Sequence, residues 1–216
     1  MINYNNANPT HENHDDLFDD ALESAITNYQ NFFKLTVTGF LDADTANQLG
    51  RPRCGVPDNG IRSPKWPPEK RNLTYSFPPG ERTDANSSTL DATDMWASVS
   101  NFRFSYIEDY NQADIKIAFL RRDHGDGNPF DGPKGILAHA FGPPDGRLHF
   151  DEDEDWVYGT VKDEFDILTV GLHELGHVLG LGHSTDDGAI MWPYVGSGER
   201  KGLGKDDKNG IRALYS

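Results

Sequence analysis

The segment VGLHELGHVLGLGHS carries three histidines and one glutamate with the types and spacing of a catalytic metal site. Residues four apart lie on the same face of a helix, so His173 and His177 can bind one ion while Glu174 lies beside it. Gly180 tolerates a positive φ and can turn the chain, so that His183 supplies a third nitrogen. Three protein ligands leave the fourth position of tetrahedral zinc open, which is typical of catalytic sites.

A site of this type predicts hydrolysis of peptide bonds. Zinc lowers the pKa of a water molecule at its open position to about 7 and polarises a substrate carbonyl. Glu174 would accept the proton of that water as general base and pass it to the leaving amine. An amphipathic helix with surface histidines is the alternative explanation. The complete HExxHxxGxxH pattern, with Met191 eight residues after His183, favours the metal site.

The same segment resembles the zinc motif of the metzincin peptidases, in which the methionine lies in a tight turn under the metal. The segment PRCGVPD, which begins at Pro52, resembles the cysteine switch of matrix metalloproteinase zymogens. This resemblance implies that Cys54 binds the catalytic zinc as a thiolate and excludes water, while Arg53 and Asp58 form a salt bridge that holds the loop. Without the resemblance, Cys54 could also be a buried small side chain or an incidental thiol.

The resemblance to matrix metalloproteinases extends from about residue 17 to residue 215. Ser184, directly after the third histidine, is typical of this branch of the metzincins. The short segment FGPPDGRLHF and the segment NLTYSF resemble the plant members. Two alternatives are a zinc-stabilised binding module with an inactive site and a metzincin with another activation scheme. The intact Glu174 disfavours the first alternative, and the switch segment disfavours the second.

A second group of residues could bind a structural zinc ion. Three imidazoles and one carboxylate would form a closed four-ligand set: His124, Asp126, His139 and His149. Their spacing alone would fit scattered, solvated histidines equally well. All four lie at the structural-zinc positions of the family that the chain resembles, so the resemblance implies a second zinc site.

The resemblance also implies at least one calcium ion, which binds oxygen ligands from carboxylates and carbonyls. The implied ligands are the carboxylates of Asp131, Asp151 and Glu154 and the backbone carbonyls of Gly132, Lys134 and Ile136. The alternative is an acidic, solvated loop. Lys134 stands where the family usually has glycine.

The remaining sequence predicts the elements that must position these residues. Period-two alternation predicts strands, and apolar residues at helical spacing predict helices. The predicted strands are residues 73–77, 102–107, 115–119, 136–141 and 148–150, and the predicted helices are residues 16–33, 90–99, 165–179 and 205–215. Asp42 or Asp44 can begin a further short helix that ends at Gly50.

Strands with one helix come first and helices last, which indicates an α+β fold. The proline-rich stretch of residues 51–68 disfavours regular structure, and we place the domain boundary in it, near Asn59. The predicted regions are a disordered N-terminus (residues 1–14), a small, truncated helical propeptide with the switch loop (15–59) and a zinc metalloproteinase catalytic domain (60–216). By the resemblance, the catalytic domain has a twisted, mostly parallel five-stranded sheet and three helices.

Composition limits the partners of the chain. A formal net charge of -15 disfavours nucleic acids and anionic membranes, because an acidic surface repels both. No apolar run is long enough to span a membrane, and the first residues lack a secretory signal. The single cysteine cannot form an internal disulfide. The patterns beginning at Asn72 and Asn86 fit glycosylation acceptors, which favours secretion slightly.

The resemblance implies a secreted or extracellular protein whose signal segment, and any membrane anchor, would belong to a longer natural chain. Its partners would be an extended protein or peptide substrate, which adds a strand to a sheet edge, and its own propeptide as inhibitor. The family's hydrophobic pocket for the side chain after the cleaved bond is walled by the loop at residues 193–203. The lack of a heptad pattern favours a monomer.

Overall fold

The computed structural model describes residues 18–58 and 64–216, and the chain divides into two compact units, residues 1–50 and 51–216. The predicted disordered segment at residues 1–14 lies outside the described residues. None of the helices in the described parts of the chain has the length and apolar character that a membrane span requires.

The smaller unit contains helices α1 (Asp20–Phe32) and α2 (Ala43–Leu49). Each helix begins at an aspartate whose carboxylate accepts a backbone N–H of the first turn, Asp19 for α1 and Asp42 for α2. The fully buried Gln30 joins the two helices, because its amide nitrogen donates to Thr45 Oγ1 at 2.9 Å and its oxygen accepts the backbone N–H of Thr38. The predicted helices of this unit are therefore present, but α1 begins at Asp20 and not before, because Asp19 has an extended backbone and caps the first turn.

The larger unit is built on one sheet. Its strands are β1 (Arg53–Cys54), β2 (Asn72–Ser76), β3 (Arg103–Tyr106), β4 (Ile115–Leu120), β5 (Ile136–Ala140) and β6 (Arg147–Asp151). The strand order is β1-β5-β6-β4-β2-β3, and only the β5–β6 pair is antiparallel. Two shorter strands, β7 (Trp156–Val157) and β8 (Phe165–Asp166), pair separately.

The predicted mostly parallel five-stranded sheet is confirmed, and β1 is a sixth strand that the sequence did not predict. It lies in the proline-rich stretch where we expected no regular structure. Pro52 has no N–H to donate, but the backbone N–H groups of Arg53 and Gly55 are free to bond β5 and the residue before it. They donate to Gly135 O at 3.0 Å and to Ala138 O at 2.8 Å.

Helices α3 (Thr83–Val99), α4 (Ile167–Val178) and α5 (Lys205–Tyr215) complete the larger unit. Nearly every residue of α4 is buried, as expected for a helix that is apolar on all sides. Trp96 of α3 is also fully buried, and its indole N–H donates to Leu172 O of α4 at 2.9 Å. Helix α4 is thus fixed inside the core rather than on the surface.

Helix α4 ends in a glycine turn. Gly180 has φ +94°, its N–H donates to His177 O at 2.8 Å, and the N–H of Leu181 donates to Gly176 O at 3.0 Å. These two bonds form a Schellman motif, which needs a residue in the left-handed region. The predicted turn at Gly180 is confirmed, and it reverses the chain toward the buried end of the helix.

Candidate metal centres

His173 and His177 lie one turn apart on α4, and their Nε2 atoms face each other at 3.1 Å. The Nδ1 atom of each ring is the donor, because it lies against a backbone carbonyl: Ile190 O at 2.7 Å from His173 and Leu181 O at 2.8 Å from His177. Both Nε2 atoms therefore carry bare lone pairs directed at one another. Both rings are buried, so a cation between them would turn this repulsion into coordination.

His183 completes the group after the Gly180 turn. Its ring centroid lies 5.2 Å from that of His173 and 4.7 Å from that of His177. The Nδ1 atom contacts Asp58 Oδ1 at 2.9 Å, and the buried Nε2 has no hydrogen-bond partner among the described residues. The structure therefore brings the three predicted histidines together with three nitrogen lone pairs pointing inward.

Cys54 lies at the fourth side of this group. Its Sγ is 3.5 Å from His177 Nε2, and the four possible ligand atoms all lie within 4.8 Å of one another. Burial raises the pKa of the Cys54 thiol well above its usual value, so it would be a thiolate only beside a cation. A set of three imidazoles and one sulfur is a donor set that fits zinc.

The Glu174 carboxylate is buried beside the histidines, and neither of its oxygens has a hydrogen-bond partner in the described chain. Burial raises the pKa of this carboxyl to about 8, and a neighbouring cation would lower it by favouring the carboxylate. An unpartnered buried carboxylate is costly for folding, which suggests a functional reason for its position.

Met191 is buried against helix α4, and its role under the metal stays a prediction. It is 2% exposed, and a Cβ at Gly176 would lie 2.3 Å from its sulfur, so the glycine of α4 permits this close packing. The buried carboxylate of Asp207 holds the turn by accepting the N–H groups of Ile190 and Met191, at 2.8 and 3.1 Å. Sequence analysis missed Asp207, whose only signal was an acidic residue in the first turn of α5.

Strand β1 lies between two other segments of the larger unit. On one side it pairs with β5, and on the other the N–H of Cys54 donates to Pro193 O at 2.9 Å and Pro52 O accepts the N–H of Val195 at 3.3 Å. Arg53 is buried, and its guanidinium is 2.6 Å from Asp58 Oδ1, so the predicted pair is present in the geometry. The guanidinium also lies over the ring of Tyr194, a contact that the sequence did not predict.

Gly55 follows Cys54 at a position with no room for a side chain. An added Cβ would lie 2.7 Å from Cγ2 of Ile136, a β-branched side chain with little rotamer freedom. We expect Gly55→Ala to destabilise the packing of the segment around Cys54 against β5 by about 1–2 kcal/mol. The fraction of molecules in which this segment has left β5 would then increase about 5- to 30-fold. The rate at which a chromogenic disulfide labels Cys54 in the intact chain measures this fraction.

Gly50→Ala is the matched control, because a Cβ there meets nothing closer than 3.6 Å. Its labelling rate should equal that of the parent. Equal labelling rates for the two glycine variants would contradict the role assigned to the close packing of Gly55.

The second predicted zinc group also comes together. Asp126 Oδ2 lies 2.9 Å from His124 Nε2, 2.8 Å from His139 Nε2 and 2.9 Å from His149 Nδ1. His124 Nδ1 lies against Arg122 O, so its Nε2 carries a lone pair that faces the carboxylate oxygen. Burial lowers the pKa of His149 to about 4, which leaves this ring neutral and able to bind a metal. The four residues fit a closed zinc site.

We expect Asp126→Asn to remove this second metal and leave the first. Metal analysis should fall from two zinc ions per chain to one, because a neutral amide is a weak zinc ligand. Lost binding at one hundred times the dissociation constant would destabilise the fold by about 2.7 kcal/mol, which thermal unfolding would detect. Asp145→Asn is the control, since Asp145 lies outside both histidine groups. Two zinc ions in both variants would contradict the assignment.

The predicted calcium residues lie around one loop, and calcium binding there stays a prediction. The carboxylates of Asp131, Asp151 and Glu154 accept the backbone N–H groups of Ile136, Gly132 and Lys134, respectively. The predicted ligands were these three carboxylates together with the backbone carbonyls of Gly132, Lys134 and Ile136. Burial raises the pKa of Glu154 to about 7 and also raises that of Asp151, so a cation would relieve the crowded carboxylates. Lys134 has φ +69°, in the region that glycine adopts without strain.

Both predicted glycosylation acceptors, Asn72 on β2 and Asn86 on α3, are exposed. Their glycosylation stays a prediction.

Comparisons with known proteins agree with this geometry. The sequence profile of the family described as Matrixin matches residues 65–216, and a profile described as a peptidoglycan binding domain matches residues 3–49. "Metalloendoproteinase 1" of Glycine max is 44% identical over 96% of this chain and 77% of its own length. "Metalloendoproteinase 5-MMP" of Arabidopsis thaliana is 43% identical over 93% of this chain and 65% of its own length.

Animal proteins also match. "Neutrophil collagenase" of Homo sapiens is 42% identical over 86% of this chain, which spans 42% of the length of that relative. The predicted resemblance to matrix metalloproteinases, including plant members, is confirmed by these matches.

Proposed function

Because this chain belongs to the matrixin family of metalloendopeptidases, we propose that it is a latent zinc-dependent endopeptidase whose Cys54 closes the catalytic site. One observation carries the proposal: the Cys54 sulfur, three histidine nitrogens and the Glu174 carboxylate meet in one buried site. Residues 15–59 would be the propeptide and residues 60–216 the catalytic domain.

In the active form, His173, His177 and His183 would hold zinc. Zinc, when bound, would polarise the substrate carbonyl and acidify the attacking water. Glu174 would take the proton of that water as general base and then give it to the nitrogen of the leaving amine. The two backbone carbonyls that accept Nδ1–H from His173 and His177 fix the ring orientations, so both Nε2 atoms stay directed at the metal.

Strand β1 supports a specific form of inhibition. It fills the space between β5 and residues 193–195 with backbone hydrogen bonds on both sides. An extended substrate that adds a strand to β5 would use the same donors and acceptors, so β1 and substrate would exclude each other. If only the Cys54 sulfur moved away, the fourth ligand position of the metal would open. Removal of the whole β1 segment would also expose the edge of β5 to the substrate.

We further propose that the enzyme is secreted and monomeric and cleaves extracellular proteins. A second zinc at His124, Asp126, His139 and His149 and a calcium ion at the loop from Asp131 to Glu154 would stabilise the catalytic domain. The hydrophobic pocket for the residue after the cleaved bond would lie beside the loop at residues 193–203.

Cobalt substitution tests whether Cys54 is the fourth ligand of the catalytic metal. Co²⁺ in place of the catalytic zinc of the intact chain should give a near-ultraviolet thiolate-to-metal charge-transfer band if Cys54 is a ligand. The band should disappear in Cys54→Ser, which has no thiol because the chain contains one cysteine. A cobalt-loaded parent without this band would refute Cys54 as the fourth ligand.

A further inference from the structure

The three histidines of the catalytic group differ in what holds their outer nitrogens. His173 and His177 use backbone carbonyls of the catalytic domain, Ile190 O and Leu181 O. His183 instead contacts the carboxylate of Asp58, which is 125 residues away in the sequence and belongs to the switch segment. One metal ligand therefore takes its outer partner from the part of the chain that activation removes.

Asp58 is built into this position. Its side chain is 7% exposed and that of His183 is 0% exposed, so water does not screen their contact. Oδ1 of Asp58 also contacts the Arg53 guanidinium at 2.6 Å. This ion pair with a buried, positively charged guanidinium identifies the Asp58 side chain as a carboxylate.

A carboxylate behind a ligand histidine has a defined effect. It fixes the proton on Nδ1, orients the ring and makes Nε2 a more basic ligand, and the loss of such a partner typically weakens metal binding about 10- to 100-fold. A backbone carbonyl, being uncharged, is a weaker acceptor than a carboxylate. Asp58 therefore gives His183 the strongest outer partner of the three histidines.

We propose that Asp58 is a positioning residue for the catalytic metal, and that the switch segment retains zinc through His183 as well as blocking it through Cys54. This inference rests on the proposed function, because it assumes that the histidine group binds zinc. The latent chain would hold its catalytic zinc more tightly than the activated enzyme, which loses Asp58 with the propeptide.

Zinc release from the intact chain tests this role. All proteins would carry Glu174→Gln, so that an opened site does not digest the chain. The variants are Asp58→Asn, which removes the carboxylate behind His183, and Arg53→Gln, which breaks the Arg53–Asp58 pair but leaves that carboxylate. Asp145→Asn is the charge-matched control. A colorimetric chelator reports zinc release, and zinc at the His124 group gives an internal reference.

We expect Asp58→Asn to release the catalytic zinc at least about 10-fold faster than the parent, Arg53→Gln and Asp145→Asn. Equal acceleration in Asp58→Asn and Arg53→Gln would overturn the proposal, because Asp58 would then act only by anchoring the loop. Unchanged release in Asp58→Asn would also overturn it. A parent without zinc at the histidine group would instead refute the proposed function itself.

A second measurement does not depend on how the variants fold. In the parent, the Nδ1–H proton of His183 should resonate downfield of those of His173 and His177, because its acceptor is charged. A resonance at or upfield of the other two would contradict the carboxylate contact and overturn the proposal.

Discussion

Glu174→Gln should lower kcat of the activated enzyme about 10²- to 10⁴-fold, the range expected for loss of a general base. Glutamine has nearly the same shape as glutamate but cannot accept the proton of the attacking water. The Glu174 carboxylate is also fully buried, and neither of its oxygens has a hydrogen-bond partner in the described residues. Steady-state hydrolysis of a quenched fluorescent peptide after mercurial treatment measures the effect.

The control for this variant is Glu69→Gln, which removes the same charge at an exposed position. Metal analysis should give the parent's zinc content for both variants. An activated Glu174→Gln enzyme with the parent's kcat would refute the mechanism, whereas loss of zinc would show that the variant disturbs the metal site instead.

Cys54→Ser should convert the latent chain into one that cleaves peptide without an activator, at the rate of the mercurial-treated parent. A serine hydroxyl keeps its proton near neutral pH and is a poor zinc ligand, so the fourth position would open. A mercurial should have no further effect on the variant, because Cys54 is the only thiol in the chain.

Persistent latency in Cys54→Ser would assign the block to strand β1 rather than to the sulfur. Gly55→Ala separates these explanations, because it disturbs the close packing of the segment against Ile136 and leaves the thiol intact. Activity in both variants would indicate that the Cys54 sulfur blocks the metal and that the packing of β1 holds the sulfur in place.

Local sequence rules predicted the metal-binding helix and its turn. The i, i+4 spacing of His173 and His177 and the left-handed preference of Gly180 are properties of short segments, so no tertiary information was needed. The bounds of α5 agree with the predicted helix at residues 205–215. The mostly parallel sheet came from resemblance to a known family, since strand pairing depends on residues far apart in the chain.

Other elements could not be found from local patterns. Helix α3 begins at Thr83, seven residues before the predicted start at residue 90. The apolar pattern missed the first turns because they carry polar exposed residues and small buried ones such as Ala85. Leu90, the first residue of the predicted helix, is 52% exposed. The two residues of β1 form a strand only because β5 offers them hydrogen-bond partners.

Two contacts of buried carboxylates were also beyond sequence analysis. Asp58 was predicted to pair with Arg53 but not to contact His183, and Asp207 was not singled out at all; the two contacts join residues 125 and 16 positions apart. Asp166 is a further example, since its buried carboxylate begins α4 and contacts Arg200 at 2.7 Å. Only the folded chain shows that these carboxylates contact the turn at Met191, the start of α4 and the ring of His183.

Peptide cleavage before and after a thiol-modifying mercurial tests the central claim most directly. The substrate is a quenched fluorescent peptide with leucine after the scissile bond, and a zinc chelator is the control. A cysteine-locked zinc endopeptidase predicts no cleavage before treatment, cleavage after treatment and loss of that cleavage with the chelator. Silence in both states, with zinc bound, would contradict the account and favour a zinc-stabilised binding module.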